Sequence, residues 1–220
     1  MSSNDQYDRR KFVQCFAGIP AILTAACSGG LSATEFVKNS HGERMIERYP
    51  DFEDKRSKKV MFVAHCILNQ NARINSCGYT PAAIPKIAGC LIERGIGISQ
   101  MPCPELGCLG LGRGGAEEIY DQLSTPGARR YLKTLAASVV YQAQQYRKQG
   151  FRVLGVLGID GSPSCGVDLT WYEGEGPGTG AYMEELREAL KKANLADIPV
   201  KGVQDALPDE AVALIEKLDS

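Results

Sequence analysis

Cysteine residues follow three apolar segments of this chain, and this recurrence is its main chemical signal. Cys66, Cys103 and Cys165 each come shortly after a run rich in Val, Ile, Leu or Met, which predicts a buried strand. Because the strands of a parallel sheet end at a common edge, we expect the three thiols to meet there. Three thiolates in one pocket repel one another, so the pattern indicates a bound cation or iron–sulfur cluster that keeps them deprotonated.

The identity of that inorganic centre depends on whether a fourth ligand is present. Zinc requires four ligands, and His65, Cys77 or Cys108 would provide the missing one. The alternative is that each cysteine merely fills a gap at a strand end, as buried free cysteines often do. Three cysteines on successive strands, each beside a polar or proline-containing turn, favour the ligand interpretation.

Alternating apolar strands and amphipathic helices must position these cysteines. The predicted strands and helices alternate from residue 59 to residue 218, and the last two strands are residues 151–159 and 198–203. A long helix is predicted from Thr125-Pro126 to Gly150, because its apolar residues recur at helical spacing. The pattern predicts an α/β fold in three layers, with a mostly parallel sheet of four or slightly more strands and helices on both faces.

Composition and charge restrict the classes of partner. The 220 residues include 25 basic and 26 acidic side chains, which gives a formal net charge of −1, so no overall field favours nucleic acid or an anionic membrane. With 44% hydrophobic residues the chain can form its own core, and its eight cysteines are therefore not expected to form a disulfide framework. The expected partner is a small molecule.

A glycine-rich stretch follows the second cysteine. Gly110, Gly112 and Gly115 match the spacing of a dinucleotide-binding loop, but such a loop must join a strand directly to its helix, and this one begins several residues later. We therefore predict that residues 106–115 form a flexible loop over a pocket, with Arg113 and Tyr120 as substrate contacts.

The polar residues beside the first cysteine are the other predicted substrate contacts. His65 directly precedes Cys66, and Asn69 lies three residues after it in a polar segment. We expect both side chains to face the pocket at the end of the first strand.

The first 57 residues differ in character from the rest of the chain. Arg9-Arg10 precede an uncharged run in residues 12–34, a pattern that resembles a twin-arginine export signal. Residues 35–57 are predicted to be a linker and residues 58–220 the α/β domain. We expect an exported protein, with Cys27 as a candidate site of lipid attachment to a membrane; the alternative is a cytoplasmic protein with an N-terminal extension.

Three ordered motifs resemble those of the 2-thiouracil desulfidase family. They are the segments HCILNQN from His65, CPEL from Cys103 and GSPSCG from Gly161. The resemblance covers roughly residues 59–203. It implies that Cys66, Cys103 and Cys165 hold a [4Fe-4S] cluster with one iron free of protein ligands. It also implies catalytic roles for Glu105 and Ser162.

The reaction implied by the resemblance is a desulfuration without net redox change. A soft sulfur atom of a thiolated compound binds the open iron, water attacks the weakened carbon–sulfur bond, and sulfide is released. Glu105 would transfer the proton and Ser162 would orient or relay it. The alternative function is a non-catalytic iron–sulfur or zinc-binding module on the cell surface. A hydrolase is disfavoured because GSPSCG does not match the nucleophile-elbow pattern G-x-S-x-G.

Overall fold

A four-stranded parallel sheet forms the centre of the computed structural model, which describes residues 54–171 and 175–220. The strands are β1 Lys59–Val63, β2 Gly97–Gln100, β3 Arg152–Ile159, β4 Leu169–Trp171, β5 Glu175–Pro177 and β6 Val200–Val203. The strand order in the parallel sheet is β2-β1-β3-β6. Strands β4 and β5 pair separately as an antiparallel hairpin.

Helices cover both faces of the sheet, which confirms the predicted three-layer α/β fold. They are α1 His65–Leu68, α2 Pro85–Glu93, α3 Pro104–Leu109, α4 Ala116–Ser124, α5 Pro126–Lys148, α6 Ala181–Lys192 and α7 Pro208–Asp219, with a 3-10 turn at Gln70–Ala72. Helix α2 packs against α7, and α5 packs against α6. Right-handed crossovers place these two pairs on opposite faces of the sheet.

The central strands are buried on both faces, which explains their continuous apolar sequence. Met61, Phe62 and Val63 of β1 are fully buried, and in β3 every residue except Arg152 is buried. The core of the domain therefore lies around β1 and β3. Arg56–Ser220 form one compact unit.

The long helix α5 begins and ends where the sequence predicts. The Thr125 side chain accepts a hydrogen bond from the backbone N–H of Ala128 at 3.4 Å, and Pro126 occupies the first turn. Gly150 follows the helix with φ of 77°, a left-handed conformation that favours glycine after a helix. Capping and periodicity thus agree for this element.

The predicted glycine-rich loop is helical in its first part. Residues 104–109 form helix α3, so the predicted loop at 106–115 begins only after the first four of its residues, and Gly110 marks the helix end with φ of 83°. Pro104 in the first turn and Glu105 beside the helix N-terminus favour helix initiation, a signal that the glycines obscured. The segment that follows Cys165 contains the β4–β5 hairpin.

Strand connections change direction at the centre of the sheet. The chain moves from β1 to β2 on one side and then returns to β3 on the other side of β1. Open α/β sheets bind ligands at such a switch point, outside the carboxyl ends of the strands. The fold thus places its expected site where Cys66 and Cys165 follow β1 and β3.

The N-terminal predictions concern residues that the structure does not describe. The export signal at residues 1–34, the lipid attachment at Cys27 and the linker as far as residue 53 all lie outside the described residues. Within the described part of the chain, no helix combines the length and apolar character that crossing a membrane requires.

Candidate functional site

A cavity of about 790 Å³ lies at the carboxyl edge of the parallel sheet. Each of the four parallel strands contributes residues to its wall. Cys66 follows β1, Cys103 follows β2, Cys165 follows β3 and Asp205 follows β6. The three cysteines, 99 residues apart at the extremes (165 − 66), are thus brought into one cavity.

The turn that contains Cys165 is held by side-chain hydrogen bonds to its own backbone. Asp160 Oδ1 accepts hydrogen bonds from the N–H groups of Val167 at 2.8 Å, Asp168 at 3.0 Å and Leu169 at 3.3 Å. Ser162 Oγ accepts one from the N–H of Cys165 at 3.0 Å. These contacts fix the direction of a buried cysteine within an irregular turn.

Glycines allow neighbouring backbone to approach this turn closely. A Cβ atom at Gly202 of β6 would overlap the carboxylate of Asp160, and one at Gly180 would overlap the carbonyl of Ser164. The N–H groups of Ala181 and Tyr182, at the start of α6, donate to the carbonyls of Pro163 and Ser164, each at 3.0 Å. The turn is therefore clamped between β6 and α6.

The other two cysteines lie at helix N-termini. Cys66 is in the first turn of α1, and its carbonyl accepts a hydrogen bond from Gln70 Nε2 at 2.8 Å. Cys103 is the N-cap of α3, where its sulfur accepts a hydrogen bond from the N–H of Leu106 at 3.4 Å. Backbone dipoles at these positions favour a negatively charged sulfur.

Burial opposes the ionisation of all three thiols. It raises the pKa of Cys66 to about 12, although Arg73 lowers it in part. Burial also raises the pKa of Cys103. The pKa of Cys165 lies well above its ordinary value because of burial and of the charges of Cys66 and Cys103. A bound cation would reverse this balance, since coordinated sulfur is deprotonated.

The cavity offers three cysteine sulfurs as donors for an inorganic centre. Within residues 54–171 and 175–220, no group of three or more His, Cys, Asp or Glu side chains is arranged to hold a single metal ion. Thiolates on one tetrahedral zinc lie roughly 3.8 Å apart, whereas an iron–sulfur cluster binds its cysteines at separate irons. None of the six cysteines in the described part of the chain forms a disulfide. One buried and two partly buried cysteines line the cavity, and three such donors are what a cluster of this kind would take.

The three candidate fourth ligands differ in whether they line the cavity. His65 and Cys77 line the cavity. Cys108, on α3, is partly buried against the hydrophobic core and is not among the residues that line the cavity. A ligand role for any of the three stays a prediction, and of the three only His65 and Cys77 are in the cavity lining.

Glu105 is the centre of a buried polar cluster beside the cysteines. Its Oε1 accepts hydrogen bonds from Ser164 Oγ at 2.6 Å and from Ser162 Oγ at 3.4 Å, and its Oε2 accepts one from Arg113 Nε at 2.9 Å. The two hydroxyls also lie 3.2 Å from each other. The carboxylate is thus fixed in orientation by one guanidinium and two serines.

Arg113 has a positioning role in this arrangement. Its side chain is only 2% exposed, and its guanidinium also donates to the carbonyls of Ala72 at 2.7 Å and Gly110 at 3.1 Å. Arg113 lines the cavity, so its predicted contact with substrate stays a prediction, but the contacts in the structure connect Glu105 to two loops.

Of the other three predicted substrate contacts, one lines the cavity and two do not. His65 lines the cavity. Asn69 and Tyr120 do not belong to the cavity lining: Asn69 Oδ1 accepts from the N–H of Asn71 at 3.2 Å, and Tyr120 donates to Glu184 Oε1 at 3.0 Å. Contacts of these two residues with substrate remain untested predictions.

Sequence reasoning missed several polar residues of the site. Ser164, two residues after Ser162 in the same motif, is the closer partner of Glu105, and the repeated serine was the available signal. Asp160 is the first polar residue after the apolar run of β3, a position that could have indicated a turn-stabilising carboxylate. Arg73 and Asp205, which also line the cavity, had no such signal.

The fold and the site define a three-layer α/β protein with a cysteine-lined cavity at the carboxyl edge of its sheet. The chain is 30% identical over 141 residues to the uncharacterized protein MJ0003 of Methanocaldococcus jannaschii, which covers 64% of this chain and 83% of the relative. The protein belongs to the family of this archaeal protein.

Two further comparisons complete this result. No family model matches the chain. Among solved structures, it is similar to the [4Fe-4S]-dependent thiouracil desulfidase TudS, with 21% sequence identity and a TM-score of 0.38, over 71% of this chain and 97% of that chain.

Proposed function

We propose that this protein is an iron–sulfur-dependent desulfidase that replaces sulfur by oxygen in a small thiolated compound. One observation carries the proposal: thiols from three neighbouring strand ends line the same cavity as a buried carboxylate with two serine partners. The three motifs that resemble the 2-thiouracil desulfidase family provide these same residues. Substrate and water would meet in this cavity.

Cys66, Cys103 and Cys165 would hold the [4Fe-4S] cluster. Once bound, it would supply a thiophilic Lewis acid that withdraws electron density from the carbon–sulfur bond of the substrate. The helix N-termini at Cys66 and Cys103 favour the ionised ligands that it requires. His65 and Cys77 also line the cavity, so either side chain could influence the iron that the three cysteines would leave without a protein ligand.

Glu105 is the group that moves the proton. Its Oε2 is paired with Arg113, whereas Oε1 faces the hydroxyls of Ser162 and Ser164. A water molecule that attacks the thiolated carbon loses a proton to Glu105, either directly or through Ser162. Glu105 then returns the proton to the departing sulfur. The overall reaction consumes the thiocarbonyl compound and one water and yields the carbonyl compound and hydrogen sulfide, so no electrons are exchanged.

The two serines have different parts in this scheme. Ser162 is bonded to the N–H of Cys165 at 3.0 Å and is more distant from Glu105, so it can reorient toward a ligand in the cavity. Ser164 is almost fully buried at 1% exposure and keeps its short hydrogen bond to the carboxylate. Ser162 therefore relays the proton, and Ser164 positions Glu105.

Anaerobic purification provides the first test. We expect about four irons and four sulfides per chain, a visible charge-transfer spectrum and release of sulfide from a thiolated substrate such as 2-thiouracil or a thioamide. Glu105→Ala and Ser162→Ala are expected to keep iron and colour but to lose sulfide release. Single Cys→Ser changes at positions 66, 103 and 165 are expected to lose iron. Cys90→Ser is the matched control, because Cys90 of α2 is a partly buried cysteine that packs against the core and does not line the cavity. Full turnover in the Glu105 or Ser162 variant would remove these residues from the mechanism.

A non-catalytic iron–sulfur or zinc-binding module is the second candidate, and the position of Cys77 favours it. Cys77 lines the same cavity as the three ligands, so it could complete a fully ligated centre. In that case Cys77→Ser would lower the metal content and no thiolated compound would yield sulfide. An active protein with unchanged iron content in Cys77→Ser would exclude this alternative.

We further propose that residues 1–34 direct export, followed by a linker as far as residue 57, and that Cys27 is the attachment site if a lipid anchors the protein. The charge and hydropathy pattern of the sequence supports this part of the proposal. Fractionation of cells that express the full chain, with Arg9-Arg10→Lys-Lys as the variant, tests it. Retention of the variant in the cytoplasm is expected, and equal export of both proteins would contradict the signal.

A further inference from the structure

The side chain of Gln70 connects the first cysteine of the site to one wall of the cavity. It is 4% exposed and takes no part in the proposed chemistry. Its Nε2 donates a hydrogen bond to the carbonyl of Cys66 at 2.8 Å, and its Oε1 accepts one from the N–H of Tyr79 at 3.0 Å. Both polar atoms of this buried amide thus have partners, one at the cysteine and one nine residues further along the chain.

The path of the chain after α1 explains why the side chain makes the bond to Cys66. In a continuing helix the N–H of Gln70 would donate to the carbonyl of Cys66, four residues earlier. Helix α1 ends at Leu68, and the N–H of Gln70 donates instead to the carbonyl of Ala82 at 2.5 Å. The side-chain amide replaces the missing bond. Because a carbonyl only accepts and an N–H only donates, this position needs one donor and one acceptor, and glutamine has both.

Residues 74–79, the wall segment, form the part of the cavity wall that Gln70 holds. The members of the segment that line the cavity are Ile74, Ser76, Cys77, Gly78 and Tyr79. In the described part of the chain, the bond from the N–H of Tyr79 to Gln70 is the one hydrogen bond that joins the segment to residues outside it. Ile74 packs against the hydrophobic core, and the Arg73 guanidinium lies 5.6 Å from the centre of the Tyr79 ring. The segment is thus held by an apolar contact at its start and by Gln70 at its end.

We propose that Gln70 is a positioning residue that holds the wall segment in place and fixes its distance from Cys66. Without this side chain, the wall segment moves independently of Cys66 and the cavity loses a defined shape. Neither hydrogen bond of the Gln70 side chain reaches Glu105, so Gln70 affects substrate affinity more than proton transfer. The inference rests on the proposed desulfidase function only where substrate affinity is concerned, because the anchoring of the segment can be measured without turnover.

A general contribution to stability is the competing explanation for the buried amide of Gln70. In that case its loss would raise the reactivity of every protected thiol alike. Loss of a local anchor would instead expose Cys77, which belongs to the wall segment, and Cys66, whereas Cys165 lies in a turn that Gln70 does not bind. The decisive quantity is therefore the alkylation rate of Cys77 or Cys66 divided by that of Cys165 in the same molecule.

Alkylation of metal-free protein by iodoacetamide, followed by mass spectrometry of its peptides, measures these rates. Gln70→Leu removes both side-chain hydrogen bonds and keeps a residue of similar volume. We expect the ratio of Cys77 to Cys165 to rise about threefold to tenfold in this variant, as for the loss of one hydrogen bond. The ratio of Cys66 to Cys165 should also rise.

Two further glutamine variants serve as the rescue and the control. Gln70→Glu keeps an acceptor for the N–H of Tyr79 and should hold the Cys77 ratio within about twofold of the wild-type value. A ratio as high as that of Gln70→Leu would contradict the anchoring of the wall segment by this acceptor. Gln142→Leu is the matched control, because Gln142 makes its side-chain hydrogen bond to Ser99 on an exposed part of the protein; it should leave the ratio unchanged.

Turnover by cluster-loaded protein provides the second measurement. With 2-thiouracil as the probe, Gln70→Leu should raise KM about threefold or more, because the wall segment no longer holds its position against the bound molecule. The turnover number, normalised to iron, should stay within about twofold of the wild-type value, since Glu105 and its serine partners are unchanged. A rise in KM alone separates the position of the wall from proton transfer.

Circular dichroism checks folding, and Gln70→Met, which has a similar length but no amide, replaces Gln70→Leu if that variant is unfolded. The inference is overturned if the folded variant keeps the wild-type ratio of Cys77 to Cys165, or if all three cavity cysteines react faster by the same factor. An unchanged KM would overturn the link to substrate affinity. Absence of sulfide release from the wild-type protein, together with a selective rise at Cys77 in the variant, would instead overturn the desulfidase function and leave the role of Gln70 in place.

Discussion

The hydroxyl of Ser164 lies 2.6 Å from Oε1 of Glu105, whereas that of Ser162 lies 3.4 Å from the same oxygen. The second serine of the motif is thus the stronger partner of the carboxylate, although the family resemblance draws attention to the first. Both hydroxyls face the same oxygen, and Ser162 Oγ also accepts hydrogen bonds from the N–H groups of Ser164 and Cys165. Glu105 and the turn of Cys165 consequently form one unit, and a change in either affects the other.

Ser164→Ala is expected to lower the turnover number about tenfold to a hundredfold, because a hydrogen bond to a charged group contributes about 1.5–3 kcal/mol. Iron content should remain unchanged, since Cys165 keeps its backbone contacts to Ser162. The measurement is sulfide release by anaerobically purified protein, normalised to iron. Ser99→Ala, an exposed serine on β2 that contacts Gln142, is the matched control, and equal rates in the two variants would contradict the positioning role of Ser164.

Arg113 is expected to stabilise the domain through its pairing with Glu105. Arg113→Met leaves a carboxylate that is 11% exposed without its compensating charge, which costs about 3 kcal/mol or more and should lower the melting temperature by about 6 °C or more. Thermal denaturation of Arg113→Met, Glu105→Gln and the double variant forms a mutant cycle. The double variant should be more stable than the sum of the two single effects indicates. Additive losses would mean that the two side chains act independently.

The regular spacing of apolar residues in the sequence predicted the fold and the convergence of the cysteines on one edge of the sheet. Apolar runs and helical spacing are local signals, and the rule that parallel strands end at one edge converts them into a three-dimensional expectation. Helix α3 was obscured because its start depends on Pro104 and Glu105, while the glycines that follow dominated the local pattern.

Contacts between side chains of distant segments could not be predicted from the sequence in this way. Arg113 reaches Ala72 across 41 residues, and Asp205 pairs with Arg73 across 132 (205 − 73). Each depends on side-chain direction and on the exact path of a loop, for which no periodic pattern exists. The positions of the three cysteines were predictable because they follow strands, whereas the residues that orient Glu105 and line the far wall were not.

Gly202→Ala is expected to destabilise the turn that carries Cys165. A methyl group at this position would overlap the carboxylate of Asp160, which would have to release the three N–H groups it accepts. We expect a loss of about 1–3 kcal/mol in the free energy of unfolding, together with faster reaction of Cys165 with a thiol reagent in metal-free protein. Gly89→Ala is the control: it lies in α2 with no atom within 4 Å of the added methyl, so it should be neutral or slightly stabilising. A turn that tolerates Gly202→Ala without either effect would show that Asp160 is not needed to hold it.

Alkaline pH should destabilise the metal-free domain through the buried thiol of Cys66. Burial raises the pKa of this thiol from 9.0 to about 12, so the folded state favours the neutral form, whereas the unfolded chain ionises near its ordinary value. The contribution of this group is fully present below pH 9 and is lost as the pH rises through the folded pKa of about 12, at about 1.4 kcal/mol per pH unit. Urea denaturation of metal-free protein between pH 7 and 11 measures this slope, and Cys66→Ala should reduce it by close to one proton per molecule above pH 9 while leaving the slope below pH 8 unchanged. If the variant and the wild-type protein lose stability in parallel at high pH, then Cys66 does not enter the folded state as a buried neutral thiol.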